Sequence, residues 1–314
     1  MKPLRCYFTH WQNLIGLFLV LVFLVVAIAA PVLSPQDPEY PGPIKYVGLR
    51  TDYRPHTPAE VPPLGTLSTQ ISVYHALVWG TRSAVVFGIV VASITALIGS
   101  LIGAFSGYFG GFINQLLMRV TDAFLSFPII AGVVLIQLII KAIAASVVEI
   151  PSGGGEFFEL QDLPKSLIFL LSIDPVLIAF IMFSWMPYAR IMNSVVRRVR
   201  TTDYIEASRA LGAGHLRLIF RHLIPNSITP IIVMAAKDVG GMVLLQATFT
   251  FIGLGGNSAW GMMLVLGRDW IISPGGIMTF WWVFLPATLA LILFGIGWNL
   301  LGDGLNDALN PRTT

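Results

Sequence analysis

Apolar residues fall into six long blocks, separated by segments rich in charge, proline or glycine. A helix needs ~20 mostly apolar residues to cross a bilayer. The blocks Leu14–Leu33, Ala84–Phe105, Leu116–Ala142, Leu167–Trp185 (running on toward Met192), Thr229–Phe251 and Met278–Leu300 meet that length approximately. In lipid every backbone amide must be satisfied within its own segment, so such blocks are helices. The expectation is an all-α membrane protein with six transmembrane helices. Between the blocks, Ser34–Val78 carries eight prolines at positions 35, 38, 41, 43, 55, 58, 62 and 63. That density prevents long helix and regular sheet, leaving an extended segment. Ser106–Phe112 reads as a glycine-rich turn and Pro151–Glu156 as a loop tip. Gly253–Gly276 holds a short helical candidate, Trp260–Trp270.

Composition sharpens this picture. The chain is 55% hydrophobic and 11% charged, with mean hydropathy +0.79. Soluble domains carry about 25% charged residues, so a soluble globular fold is excluded. The single cysteine, Cys6, excludes a disulfide framework and a cysteine metal cluster. The first block could pass for a secretory signal, but its uncharged run from Trp11 to Ser34 exceeds the ~7–15 residues of a signal core. It reads as an uncleaved span. Lys2 and Arg5 put the N-terminus in the cytoplasm by the positive-inside rule. An even span count then brings Arg197, Arg198, Arg200, Arg209, Arg217, Arg221 and Arg312 to the same side. The loop Ala144–Ser166, with Glu149, Glu156, Glu159 and Asp162 against Lys165, faces out.

Seven of the fourteen arginines lie between Arg190 and Arg221, against two acids, Asp203 and Glu206. Within that stretch the 23 residues from Asp203 to Pro225 have a soluble, two-helix pattern. Asp203 reads as a helix N-cap with Glu206 three positions on, a capping-box variant. Tyr204 to Leu211 would be two turns ended by Gly212, which suits a left-handed C-terminal position. Leu216, Ile219, Phe220 and Leu223 would form the apolar face of a second helix, with Arg217 and Arg221 opposite. Pro225 suits the first turn of the fifth span. A plain topological anchor needs only a few loose basic residues. Two structured helices, with the small residues Ala207, Ser208 and Ala210 on one face, point to a docking element.

The residues Glu206-Ala207-Ser208, Gly212 and Pro225 resemble the EAA signature of binding-protein-dependent ABC importer permeases. Ser208 stands for the second alanine, His222 for the usual isoleucine and Ile224 for the leucine. The longer string EASRALGA…RHLIPN resembles the C-type subunit of the dipeptide/oligopeptide permease family. Further matches are Gly107-Tyr108-Phe109-Gly110-Gly111, Met118-Arg119 with Thr121-Asp122, Phe127-Pro128, Phe251-Ile252-Gly253-Leu254-Gly255, Trp260-Gly261, Gly302-Asp303-Gly304-Leu305, Asp307-Ala308-Leu309 and Pro311-Arg312. The family's Gly-Thr-Asp…Gly-Arg-Asp segment departs here, since Gly65-Thr66 is followed by Leu67-Ser68-Thr69-Gln70.

The resemblance implies a type I ABC importer permease fold with cytoplasmic coupling helices between spans four and five. An N-terminal span and proline-rich segment (1–78) would precede a permease core (79–314) whose coupling loop covers 196–228. Coupling would fall to Asp203, Tyr204, Glu206, Ala207, Ser208, Ala210, Leu211, Gly212, Leu216, Arg217, Phe220, Arg221 and Pro225. The implied partners are a second homologous permease subunit, two ATPase subunits, an extracytoplasmic substrate-binding protein and the lipid bilayer. No nucleic acid is implied. The place would be a prokaryotic inner membrane with both termini cytoplasmic, and the cargo di- or oligopeptides. Relatives differ in cargo, so a nickel complex, glutathione or an opine are alternatives, and an ATP-independent secondary transporter is a more distant one.

No GxxxxGK[ST] loop is present, and none of the five lysines follows a glycine. ATP and Mg would therefore sit on partner subunits, with no cofactor and no catalysis in this chain. Lys237 and Asp238, near the middle of the fifth span, are costly in lipid. They either line the translocation path or form structural ion pairs. Gln246, two turns on, is a further path candidate, though a hydrogen bond to a neighbouring helix suits it better. Arg119 and Asp122, spaced i, i+3, suggest an intrahelical pair. His10, His56 and His75 are scattered, so no metal site is expected. Trp270, Trp281 and Trp282 suit an interfacial belt.

Overall fold

A computed structural model describes residues 10–38, 42–49, 51–148, 174–272, 276 and 278–309, with backbone alone for 140, 141 and 143–148. Lys2, Arg5, Cys6, the acidic residues and Lys165 of the loop after position 148, and Arg312 lie outside the described residues.

The described residues are mostly helical. Helix α1 (Trp11–Leu33) is apolar on all sides and ends at Ser34 in extended conformation. Helix α2 (Val73–Phe109) starts eleven residues before the block at Ala84 and runs for 37 residues, about 55 Å. Hydropathy marks the part of a helix that crosses lipid, not where its hydrogen bonding begins. The expected turn at Ser106–Phe112 is a correction of the same kind. Helix α2 continues to Phe109, and the turn shrinks to Gly110 and Gly111, at φ +66° and +50°.

The third span is also corrected. Leu116–Ala142 is not one helix but two, α3 (Gly111–Ser126) and α4 (Ile129–Val148). Phe127 between them is extended, with φ −83° and ψ 128°. Pro128 causes this, because its ring excludes the preceding residue from helical geometry. Helix α3 and residues 129–139 meet at 87°.

The fourth span, Pro175–Val199, is interrupted more gently. Helix α5 (Pro175–Phe183) is capped by Asp174, whose carboxylate accepts from the Val176 amide at 2.9 Å. It stops at Ser184, and α6 (Met186–Val199) resumes with Pro187 in its first turn. Next come α7 (Asp203–Ala210), α8 (His215–Arg217), a π-helical turn (Leu218–Leu223), α9 (Ile224–Ser227) and α10 (Thr229–Phe251). The short helical candidate Trp260–Trp270 is α11 (Ala259–Ile271), and the last helix is α12 (Trp281–Leu309). The Gly302-Asp303-Gly304-Leu305 string thus lies inside a helix. Among the described residues five helices are long and apolar enough to span on their own, and six if α3 with 129–139 counts as one bent span.

The chain divides into two compact units, residues 1–93 with 229–314, and residues 94–228. In the first, α1 meets α12 where Gly16 lies on Leu300 and Gly297 on Leu19. Gly240 of α10 faces Gly295 of α12. Small residues let apolar helices approach closely where no hydrophobic drive separates them from lipid. Trp260 of α11 is fully buried, edge-on to Phe23 and Phe294, and its indole N–H donates to the Leu77 carbonyl at 3.3 Å. In the second unit, Gly99, Gly103 and Gly107 form one face of α2. A Cβ at Gly99 or Gly103 would strike the α6 region at Trp185 and Ala189.

Candidate functional site

The segment from Asp203 to Ser227 stands at the end of α6 as a chain of short helices. Its first helix begins one residue earlier than expected. Thr202, extended at φ −83° and ψ 148°, is the N-cap, and no side chain caps the amides. Asp203 is therefore not the cap. Asp203 and Glu206 both sit in the first turn of α7, where carboxylates favour the positive end of the helix dipole. Ile205 is buried and anchors α7, while Tyr204, Glu206, Ala207 and Ala210 are exposed. The Ser208 hydroxyl donates to the Tyr204 carbonyl at 2.7 Å.

The helix ends as the sequence suggests. Gly212 has φ +84° and donates to the Arg209 carbonyl at 3.0 Å, and Ala213 donates to Ser208 at 3.1 Å. That paired closure is a Schellman motif, which needs a residue tolerant of left-handed backbone.

The second helix corrects the expected face. Ile219 and Leu223 are buried together with Leu218, but Leu216 is 62% and Phe220 51% exposed. The π turn is the reason. The Ile224 amide reaches back five residues to Ile219, which widens the helix and turns the register. Pro225 lies in α9 rather than in the first turn of the fifth span, which starts separately at Thr229. Leu211 is 89% exposed. Leu211, Leu216 and Phe220 thus stand uncovered in a loop that also exposes Arg209, Arg217 and Arg221. Grouped exposed apolar residues with a polar rim mark interaction surfaces.

Three residues outside the expected set pin this loop to α2. The Tyr108 hydroxyl and His215 Nδ1 are 2.7 Å apart. Arg200 Nη1 donates to the carbonyls of Gly107 and Tyr108, each at 3.0 Å. The Arg209 guanidinium lies 5.9 Å from the Tyr108 ring centre, and Phe105 meets Phe220 edge-on. The signal for Tyr108 was its place in the Gly107–Gly111 string. Nothing in the local sequence of Arg200 or His215 shows what they touch. Asn193 adds a brace between helices, donating to Ser106 Oγ at 2.6 Å and Asn114 Oδ1 at 2.7 Å.

Two pairs of charges within the spans bridge helices. Asp122 does not pair with Arg119; its carboxylate lies 2.7 Å from Arg190 of α6. The break at Phe127 leaves α3 beside α6, which supplies the nearer cation. Lys237 of α10 meets Asp303 of α12 at 2.5 Å, and its stem lies over Gly302. Lys237 and Asp238 also line a cleft of about 590 Å³ with Gly240, Leu244 and Asn299, whereas Gln246 is buried.

Outside the spans, residues 42–72 are shaped by individual polar contacts. Gln70 is buried and its amide donates to the carbonyls of Asp52 and Arg54. Thr69 and Gln70 both have positive φ, +65° and +60°. His56 bridges two acids, Nε2 to Asp52 at 2.9 Å and Nδ1 to Glu60 at 3.0 Å. A neutral imidazole has one N–H, so both contacts favour the imidazolium. The hydrogen bonds to Asp52 and then Glu60 raise the His56 pKa above its ordinary value. The Arg54 amide and then His56 lower that of Asp52, as the Thr57 amide and His56 lower that of Glu60. Tyr53 and Ser68 line a pocket of about 500 Å³ with Arg268, Asp269 and Trp270. Among the described residues no group of three His, Cys, Asp or Glu is placed to hold a metal.

Residues 99–314 match the family described as "Binding-protein-dependent transport system inner membrane component". The chain is 29% identical over 297 residues to the probable D,D-dipeptide transport system permease protein of Escherichia coli, covering 94% of this chain and 85% of that one. It is 27% identical over 317 residues to the dipeptide transport system permease protein of Haemophilus influenzae, covering 99% and 95%. It is 29% identical over 301 residues to the glutathione transport system permease protein of Pectobacterium atrosepticum, covering 95% and 85%.

Proposed function

Since the chain belongs to the family of binding-protein-dependent transport system inner membrane components, we propose that it forms half of the translocation path of an ATP-driven importer for short peptides. Membership implies a partner ATPase and a substrate-binding protein. The finer assembly proposed is one chain beside a second, homologous permease subunit, with two ATPase subunits on the cytoplasmic side. Both termini then face the cytoplasm. The peptide cargo rests on relatives named for dipeptide, D,D-dipeptide and glutathione transport.

The observation that carries the coupling role is the exposed apolar group Leu211, Leu216 and Phe220 on a loop of short helices. Short helices move as rigid bodies. A push on Leu216 or Phe220 therefore passes through the π turn to α9 and on along the chain to α10. Ala207, Ser208 and Ala210 offer low relief for close approach, Tyr204 an exposed ring, and Arg217 and Arg221 charge. On the path, Asp238 and the Lys237–Asp303 pair give the α10–α12 cleft its polar end. Gln246 is the third candidate, from within the same helix.

The test is uptake of a labelled dipeptide into proteoliposomes holding the complete complex with its binding protein. Accumulation that needs ATP and the binding protein is the expected result. Uptake driven by an ion gradient, without ATP, would overturn the proposal.

A further inference from the structure

Helix α3 presents three different faces, where a helix between protein and lipid needs two. Asn114 and the buried Thr121 mark the packed face. Phe112, Leu116 and Val120 are exposed and apolar, as lipid contact requires. Gln115, Arg119, Asp122 and Ser126 are exposed too. Their spacing of four, three and four places them on one narrow face at about 100° per residue.

This polar face does not end with α3. Asp122 is bridged to Arg190, and Arg190 and Arg197 lie seven apart on one face of α6, both exposed. Three arginines and one aspartate give the joined face a positive excess. Arg119 has no ion pair among the described residues. Helix α6 belongs to a span, and α3 to the bent pair that passes as one. Exposed charges at such positions cannot face hydrocarbon, so they face water or another polar group.

We propose that this stripe is a water-facing wall of the translocation path, and that Arg119 receives a carboxylate of the passing solute. The inference rests on the importer reading and adds the chemistry of its cargo: a free carboxylate, such as a peptide C-terminus. A positive wall in a low-dielectric channel raises the local concentration of anions. The Asp122–Arg190 bridge holds α3 and α6 together and limits the excess charge, so that the solute is guided without being trapped.

The experiment uses the assembled complex with Cys6→Ser as background. Cysteines placed singly at Gln115, Arg119, Leu116 and Val120 are treated with small membrane-impermeant thiol reagents, one anionic and one cationic. Positions 115 and 119 are expected to react, and 116 and 120 are not. At Gln115→Cys, where the arginines remain, the anionic reagent is expected to be favoured by about tenfold. Reactivity at 115 and 119 is expected to change when ATP and vanadate trap the transporter. Uptake of a dipeptide is expected to be largely lost in Arg119→Gln and partly kept in Arg119→Lys, at unchanged complex yield. Equal reactivity of all four positions would overturn the proposal, as would reactivity that ignores the trapped state, which marks an interfacial helix. Loss of assembled complex in Arg119→Gln would also overturn it, because Arg119 would then pair with an acid of a neighbouring subunit. Labelling is read on purified complex whether or not it transports, so its failure is distinct from failure of ATP-driven uptake in the unsubstituted protein.

Discussion

The loop 203–227 and the segment 42–72 are both non-spanning, yet they are built in opposite ways. Among its described residues the segment 42–72 has one 3₁₀ turn, Ser68–Gln70, and takes its shape from single hydrogen bonds made by Gln70 and His56. It places two non-glycine residues, Thr69 and Gln70, in left-handed backbone. The loop is helical nearly throughout and puts its one positive φ at a glycine, Gly212. Its apolar residues are divided between Ile205, Leu218, Ile219 and Leu223 inside and Leu211, Leu216 and Phe220 outside. A segment held by separate bonds can change shape piece by piece. A run of short helices is suited to move as one body, as the proposed coupling role requires.

The largest effect is expected at the joint of that run of helices. Gly212→Val places a β-branched residue at positive φ, costing about 1–3 kcal/mol. ATP-driven uptake is expected to be lost while membrane insertion, read by the yield of folded chain, is kept. A smaller effect is expected at the anchor. Tyr108→Phe removes the hydroxyl that meets His215, at about 0.5–1.5 kcal/mol. Uptake should fall and ATPase activity should be less tightly coupled to it, whereas ATPase co-purification should persist.

Gln70→Leu turns the comparison round. It leaves the Asp52 and Arg54 carbonyls without their donor, at about 1–3 kcal/mol of local stability. Protease sensitivity near Arg54 should rise with no change in ATPase association. If ATPase association fell as well, the two segments would not be mechanically separate.

The smallest effect is the pH response of the His56 clasp. The His56 pKa is raised, so its contribution is present below the ordinary histidine value and lost as pH rises through the raised one. The carboxylates of Asp52 and Glu60 are lowered, so theirs is lost only as pH falls through those lowered values. Chymotryptic cleavage after the exposed Tyr53, corrected for the protease's own pH dependence, should be slowest between these limits. In His56→Gln the difference between mildly acidic and alkaline pH should disappear.

How much of this was legible in the sequence depended on whether the deciding contact was local. Gly212 could be read because a helix end needs a left-handed residue whatever surrounds it. Helix α11 could be read from its own pattern. Asp203 was misplaced as the cap because Thr202, also a good capping type, takes the extended backbone. The i, i+3, i+4 pattern puts Leu216 and Phe220 on one apolar face with Ile219 and Leu223 because it assumes 3.6 residues per turn, and the π turn breaks that period. The break at Pro128 was hidden by hydropathy that continues across it, although the proline itself carried the signal. Asp122–Arg190, Lys237–Asp303 and Tyr108–His215 join residues far apart in the chain. Only packing reveals them.

The coupling role of the loop is tested most directly by removing its exposed apolar contact while leaving the buried one intact. Leu211→Asp with Leu216→Asp changes two side chains that are more than half exposed and leaves Ile205, Leu218, Ile219, Leu223 and the Phe105–Phe220 contact in place. The measurement is the amount of ATPase co-purified per folded permease chain. The expected result is normal insertion with little ATPase retained and no ATP-driven uptake. Full ATPase retention with normal uptake would contradict the assignment of loop 203–227 as the docking surface.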